Sequence, residues 1–400
     1  LETSPPQGAR TDNGAHLWTE NYDRQLTDVF AIQEEIAQAI AGALRVPLGL
    51  GRGETLVRNR TSDLESYDQY LRARALIRAR APIEAIKVLE PGVVRDPDFA
   101  PTWALLAQAY VLLPAWNPGM RLDPIPAARL ELQASQGKAE NAAREAVRLD
   151  PRSADGYTAQ ALVQAVRGNW AAAESHYLQA LALDPNDPDA LHHYRNMLDD
   201  TGRLQDALGL RQKLRTLEPF VPIFNIVTAA IMLDNRQQQA AIPILEPIPA
   251  DAAGGYYRNL ILAQAYAAHT RYAEAADALL AIRTNLGSRQ SVEDAARLLR
   301  VAPTTGSASQ ALPLLEGELG FVYAHIGAMD RVLEFYERTI GLNNVSVNGI
   351  RTIWLPQLAP ARKTDRFKAA MRASGLVDYW RARGWPDLCR PMGTGDFICD

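Results

Sequence analysis

The sequence predicts an all-α fold in which helix pairs stack into a right-handed α-solenoid, preceded by a short N-terminal strand-helix segment. Three observations carry this expectation. Asp150-Pro151, Asp184-Pro185 and Glu218-Pro219 recur every 34 residues, and Gly168 and Gly202 keep the same interval. Within one interval Tyr157, Ala161 and Gln164 precede Gly168, and Ala173, Tyr177 and Ala180 follow it, which is the spacing of two amphipathic helices. A chain of 400 residues with 47% hydrophobic and 22% charged side chains can bury a large core.

The repeat register spans residues 62–345. "YDQYLRARALI" and "PIEAIKVLE" form a first pair of helices. Asp96-Pro97 introduces "FAPTWALLAQAY", where Trp103, Leu106, Ala107 and Tyr110 form the inner face of the next helix. Pro97 and Pro151 lie 54 residues apart, so this repeat carries an insertion of about 20 residues near Leu113–Gln133. Pro114, Pro118, Pro124 and Pro126 predict that the insertion begins as a loop. In the following unit Ala161 and Ala173 allow close packing, and Tyr177 fills the gap between neighbours.

At the next corner Pro185 ends one helix, Asp187 caps the following one and Pro188 occupies its first turn. The same stretch lacks the Asp-x-Asp-x-Asp-Gly order of a calcium loop. Segments around Ile223–Leu245 and Val292–Val301 are helical but degenerate, "RNLILAQAYAAHTRYAEAADALLAI" is a clear pair, and "LGFVYAHIGAMDRVLEFYERTI" is a late one. About seven pairs in an elongated solenoid are expected. Residues 346–400 read as a helical cap with a turn-rich tail holding both cysteines, Cys389 and Cys399. Bridged, they would restrict the unfolded tail by roughly 3 kcal/mol and imply an oxidising compartment such as a periplasm; as free thiols they would suit the cytosol.

The period, the Trp/Leu/Ala/Tyr pattern and the closing prolines resemble tetratricopeptide repeat (TPR) proteins over residues 62–345. Arg195 stands at a small-residue position of that pattern and Arg211 at an aromatic one, so packing there must be rearranged. "GAHLWTENYDRQLTDVFAIQEEIAQAIAGAL", residues 14–44, is similar to the end of the TolB amino-terminal-like domain found ahead of such repeats in bacterial signalling proteins. The tail "DYWRARGWPDLCRP" with "DFICD" looks like the ending of the same proteins. The resemblance implies that residues 1–50 supply a strand around Ala15–Asp23 and a helix, the strand pairing elsewhere or lying open as an edge. It also implies an upstream effector: a winged-helix domain, a nucleotide cyclase or a kinase. The opening "LETSPPQGAR" has no initiator Met or signal peptide, so any anchor or address is expected upstream.

A net charge of -4 and a pI near 6.0 give no basic field for direct nucleic-acid binding. The nearly apolar run Ile223–Leu233 is too short to span a membrane. Phosphate-binding Gly loops, His-Glu-x-x-His, Gly-x-Ser-x-Gly and clustered Cys/His ligands are missing from the sequence, so no catalytic residue, metal or cofactor is expected. His192 and His193 are adjacent, about 100° apart on a helix, and read as surface or groove residues.

A TPR superhelix would offer a concave face to an extended peptide. The candidates there are Tyr70, Arg74, Gln108, Asp155, Thr158, His192, Asn196, Asp199, Tyr257 and Gln264. Asn196 stands where some TPR proteins hold a peptide backbone, but the Lys and Arg of a carboxylate clamp are missing around it. Asp155, Asp199 and Asp200 favour a basic or neutral partner. The expected function is a non-catalytic protein- or peptide-binding scaffold, the sensory or interaction half of a bacterial signalling protein. The alternatives are the regulatory arm of an upstream enzyme and a stand-alone periplasmic assembly factor.

Overall fold

A computed structural model describes residues 61–116, 125–250, 255–283, 288–302, 312–315, 317–342, 350–393 and 395–400, besides Ile36. The expected segment at residues 1–50 and its strand therefore lie outside the described residues. Among the described residues from 61 onward six helix pairs come first: α1 (Leu64–Arg78) with α2 (Pro82–Arg95), α3 (Ala100–Trp116) with α4 (Ile125–Leu149), and α5 (Ala154–Val166) with α6 (Trp170–Leu183). Then follow α7 (Pro188–Asp200) with α8 (Leu204–Leu217), α9 (Pro222–Asp234) with α10 (Gln238–Leu245), and α11 (Gly255–Ala268) with α12 (Tyr272–Leu280). Helix α13 (Arg289–Arg300) separates these from a last pair, α14 (Phe321–His325) and α15 (Met329–Gly341).

The corners are built as their residues dictate. Ser153 caps α5 by accepting the Gly156 amide at 3.0 Å, and Asp187 caps α7 by accepting that of Ala190 at 2.5 Å. Before the prolines, Asp150 and Asp184 accept the amides two residues ahead, both at 2.9 Å, so these carboxylates close turns. Gly202 ends the α7–α8 corner at φ +80°, where a Cβ would also lie 2.8 Å from Trp354 and Pro386, so only glycine fits. Ala161, Ala165, Ala173 and Tyr177 are fully buried in one cluster that continues to Cys399.

The insertion differs from its expectation. Helix α3 runs through Pro114 to Trp116 and α4 begins at Ile125, leaving only residues 117–124 outside the description. Pro126 is tolerated because the first amides of a helix have no intrahelical partner. Pro114 removes the amide that would have bonded the Tyr110 carbonyl, and the Ser135 hydroxyl of α4 donates to that carbonyl instead, at 2.7 Å.

The solenoid curls instead of running straight. Arg80, in the α1–α2 turn, reaches His192 of α7 at 3.1 Å, and Tyr257 of α11 packs against the core cluster of the first pairs. The C-terminal cap completes the curl. It contains the 3-10 turns Arg351–Trp354 and Pro356–Leu358, helices α16 (Ala359–Arg362), α17 (Asp365–Ala373) and α18 (Leu376–Arg383), and an antiparallel hairpin of β1 (Cys389–Met392) and β2 (Asp396–Cys399).

Three indoles fasten the cap to the middle of the solenoid. Trp354 and Trp380 donate to the carbonyls of Asp200 and Thr201 at 3.1 and 2.9 Å, and Trp170 donates to Ser374 at 2.8 Å. The Asp387 amide takes the Gly202 carbonyl at 3.1 Å. A helix ends with carbonyls that lack intrahelical partners, and the cap supplies partners to the end of α7.

Sequence alone leaves the cysteines open; here Cys389 and Cys399 face each other across the hairpin and are bonded. The turn-rich tail is thus a two-stranded hairpin, because Phe397 on its buried side packs against Trp380 and Trp385 at ring distances of 5.7 and 5.6 Å. Reduction is expected to lower stability by about 3 kcal/mol, the loop-closure value for a bridge of this span. Thermal unfolding with and without reductant checks this, and an unchanged Tm after confirmed reduction would count against it.

Candidate functional site

The inner face of the curl divides into two recesses that share Leu162 as a wall. Tyr70 and Arg74 of α1, Gln108 of α3 and Asp155 and Thr158 of α5 line the first, with Asp189 of α7. Those five are half of the residues the repeat positions nominate. The remaining five gather around the second recess: His192, Asn196, Asp199 and Tyr257 line it, and the Gln264 carbonyl accepts from Arg351, another lining residue, at 3.3 Å.

The carboxylates of Asp155 and Asp189, which line the first recess, and that of Asp187 interact across the α5 and α7 N-termini. Burial pushes Asp155 up to about 6, the Asp189 charge adds to this and Arg74 opposes it. Asp187 is also driven well above the usual carboxylate range, first by burial and then by Asp155. Thr158 Oγ1 is buried without a hydrogen-bond partner.

The second recess is a cavity of about 80 Å³ in which the charged Arg80, Asp199, Asp200 and Arg351 stand around an apolar wall. Its histidines correct the sequence reading: His192 and His193 are 3% and 4% exposed and line the same cavity. They escape the solvent because α1, α3 and α9 close over α7, with Gln108 meeting His193 Nε2 at 2.7 Å and the Phe224 ring 5.1 Å from His192. Burial pushes His193 down to about 3, helped by Arg80, and His192 well below its ordinary value, so both imidazoles are neutral at pH 7.

Asp199 and Asp200 also depart from their expected role toward a partner, since both are buried. Asp200 accepts the Arg351 amide at 3.2 Å, and Asp199 lies 3.7 Å from Arg195. Arg351 enters from the cap and pairs with Asp234 of α9 at 2.5 Å and Glu318 at 3.7 Å. Burial opposes its charge, but Asp234, Glu318 and Asp199 outweigh burial and raise it. Asp234 and Asp199 are raised by burial.

Arg195 and Arg211, out of place in the repeat pattern, serve this charged interior. Arg211 lies over the Phe224 ring at 5.5 Å and donates to Thr228, and burial lowers it to about 8. Sequence reasoning missed Arg80, Asp189 and Arg351 as parts of the inner face. For Arg351 the sequence carried no signal, since it lies outside the repeats.

No family model matches the chain. A putative adenylate cyclase of Rhizobium meliloti is 39% identical over 97 residues, which make up 24% of this chain and 16% of that protein. The aligned part is thus a small fraction of that relative's length. A thermophilic TPR protein of Thermus thermophilus is similar at 24% identity and a TM-score of 0.35, covering 42% of this chain and 81% of that one. Human IFIT1, solved as a dimer with PPP-AAAA, is similar at 16% identity and a TM-score of 0.45, covering 88% and 77%. Paired helices at a 34-residue period, closed by Asp-Pro corners and left-handed glycines, make this chain a TPR-like helical repeat protein in fold.

Proposed function

We propose that the chain is a non-catalytic scaffold that binds a basic segment of a partner polypeptide at the first recess, on a right-handed TPR superhelix. One observation supports this most directly: two carboxylates, Asp155 and Asp189, line the recess with the Tyr70 ring and with the Arg74 guanidinium as counter-charge, and the Asp187 carboxylate that caps α7 interacts with both. Lysine or arginine entering there would exchange carboxylate repulsion for pairing and would lie against an aromatic ring. The second recess suits a polypeptide less, because Arg351 of the cap already fills part of it.

Within a larger protein, the scaffold would be the sensory or interaction half of a bacterial signalling protein. The partial likeness to a putative adenylate cyclase supports this reading. The disulfide favours a periplasmic position. Among the described residues no helix is long and apolar enough to cross a membrane.

Fluorescence anisotropy with a labelled Lys/Arg-rich peptide and its Glu/Asp-rich counterpart tests the proposal. The basic peptide should bind more tightly by at least tenfold, weaken with salt, and weaken again as pH falls through about 6, where Asp155 takes up a proton. The pair Asp155→Asn and Asp189→Asn should remove the preference. Equal affinity for both peptides would sink the reading.

A further inference from the structure

Among the described residues, no carboxylate pairs with the guanidinium of Arg80 at the second recess. Arg80 sits at φ +62°, a left-handed conformation that costs a non-glycine residue free energy, and from there its guanidinium reaches inward. Its partner is the imidazole of His192, and it makes no ion pair with a carboxylate among the described residues. His192 Nε2 faces both Arg80 Nη2 at 3.1 Å and Asn196 Nδ2 at 3.4 Å, two donors, so the network assigns its proton to Nδ1. That Nδ1 is buried and has no hydrogen-bond partner.

Behind His192, Arg211 is fully buried with both Nη atoms unpartnered. Asp199 and Asp200, which line the other end, are engaged by Arg195 and by Arg351. The wall between the two ends is apolar: Leu112, Leu162, Ile223 and Val227.

We infer that this cavity is a binding site for a short-chain aliphatic carboxylate, its head group held by Arg80 and Asn196 beside the neutral His192 imidazole and its hydrocarbon tail lying on the leucine and valine wall. A guanidinium fork and a side-chain amide offer donors that match a planar carboxylate. The cavity of about 80 Å³ has room for a few water-sized groups. Phosphate or sulfate would satisfy the donors and leave the apolar wall unused. The site joins the first pair through Arg80, the fourth through His192 and Asn196, and the sixth through Tyr257, so occupancy would fasten the curl.

The test is titration calorimetry and thermal shift on the whole chain with acetate, butyrate, hexanoate, butyramide and inorganic phosphate. Butyrate should bind more tightly than acetate by about fourfold for each added CH₂. Butyramide and phosphate should bind at least tenfold more weakly than butyrate, and Arg80→Gln should lose at least tenfold for butyrate. Asn196→Ala, at a half-buried position, should weaken butyrate as well and provides a second variant if Arg80→Gln does not fold. The proposal is overturned if no carboxylate binds or raises the Tm of the wild type, if phosphate or butyramide binds as well as butyrate, or if a folded Arg80→Gln or Asn196→Ala binds butyrate like the wild type.

Discussion

Trp380→Ala is expected to lower the free energy of unfolding by about 3–5 kcal/mol, the range for deleting a buried aromatic side chain. Trp380 is fully buried, and its ring packs against Trp354, Trp385 and Phe397 at 6.2, 5.8 and 5.7 Å. The substitution also strips the Thr201 carbonyl of its indole donor. Trp380→Phe separates the two contributions: it keeps most of the apolar contact and loses the hydrogen bond, so its cost should be about 1–2 kcal/mol. Urea unfolding followed by far-UV circular dichroism provides the measurement. A loss below about 1 kcal/mol for Trp380→Ala would mean that the cap does not hold the solenoid.

Arg351→Met should cost a comparable amount, about 3–5 kcal/mol at pH 7, for a different reason. Methionine fills much of the same space, but Asp234, 0% exposed, and Glu318 lose the cation that compensates them. A buried carboxyl without a counter-charge binds protons more tightly folded than unfolded. Its contribution to stability is therefore complete below the unfolded carboxylate range and is lost as pH rises toward the folded value. The variant's deficit should be small near pH 4 and largest above neutrality. Adding Asp234→Asn to Arg351→Met should recover part of the loss, because fewer carboxylates then lack a cation. Equal deficits at pH 4.5 and pH 8 would show that the charge cluster does not behave as a unit.

The physical range of each signal decides how much of this architecture could be read in the sequence. Corners are local: Asp187 caps its own helix three residues away and Gly202 bends its own turn, so a 34-residue period announces itself through proline and glycine. The charged interior is not local. Arg351 meets Asp234 across 117 residues and Trp380 meets Thr201 across 179, and no pattern along the chain marks such pairs.

Arg195 and Arg211 were visible as misfits to the repeat, yet what surrounds them could be read only from the curl. The candidate groove residues do gather on one face, as their repeat positions imply. What the sequence could not convey is that the far half of that face is interior. His192 and Asp199 sit on the same helical stripe as a groove residue would, and it is the arrival of Arg80 and Arg351 from elsewhere that buries them.

The attachment of the cap to the α7–α8 corner changes how the chain should come apart. In an open repeat array each unit touches only its neighbours, so ends fray and deletions shorten the molecule unit by unit. Here Trp354, Trp380 and Asp387 of the cap lean on the fourth pair, and Trp170 of the third pair is tied to Ser374 across 204 residues. Bringing such distant segments together makes closure slow, and until the cap has been made the end of α7 keeps open carbonyls. A nascent chain released early, or one trimmed by whole repeats from its C-terminus, would expose the flank of its own central helices. Quality-control proteases should therefore sense a missing tail around Trp170 and the α7–α8 corner, far from the break.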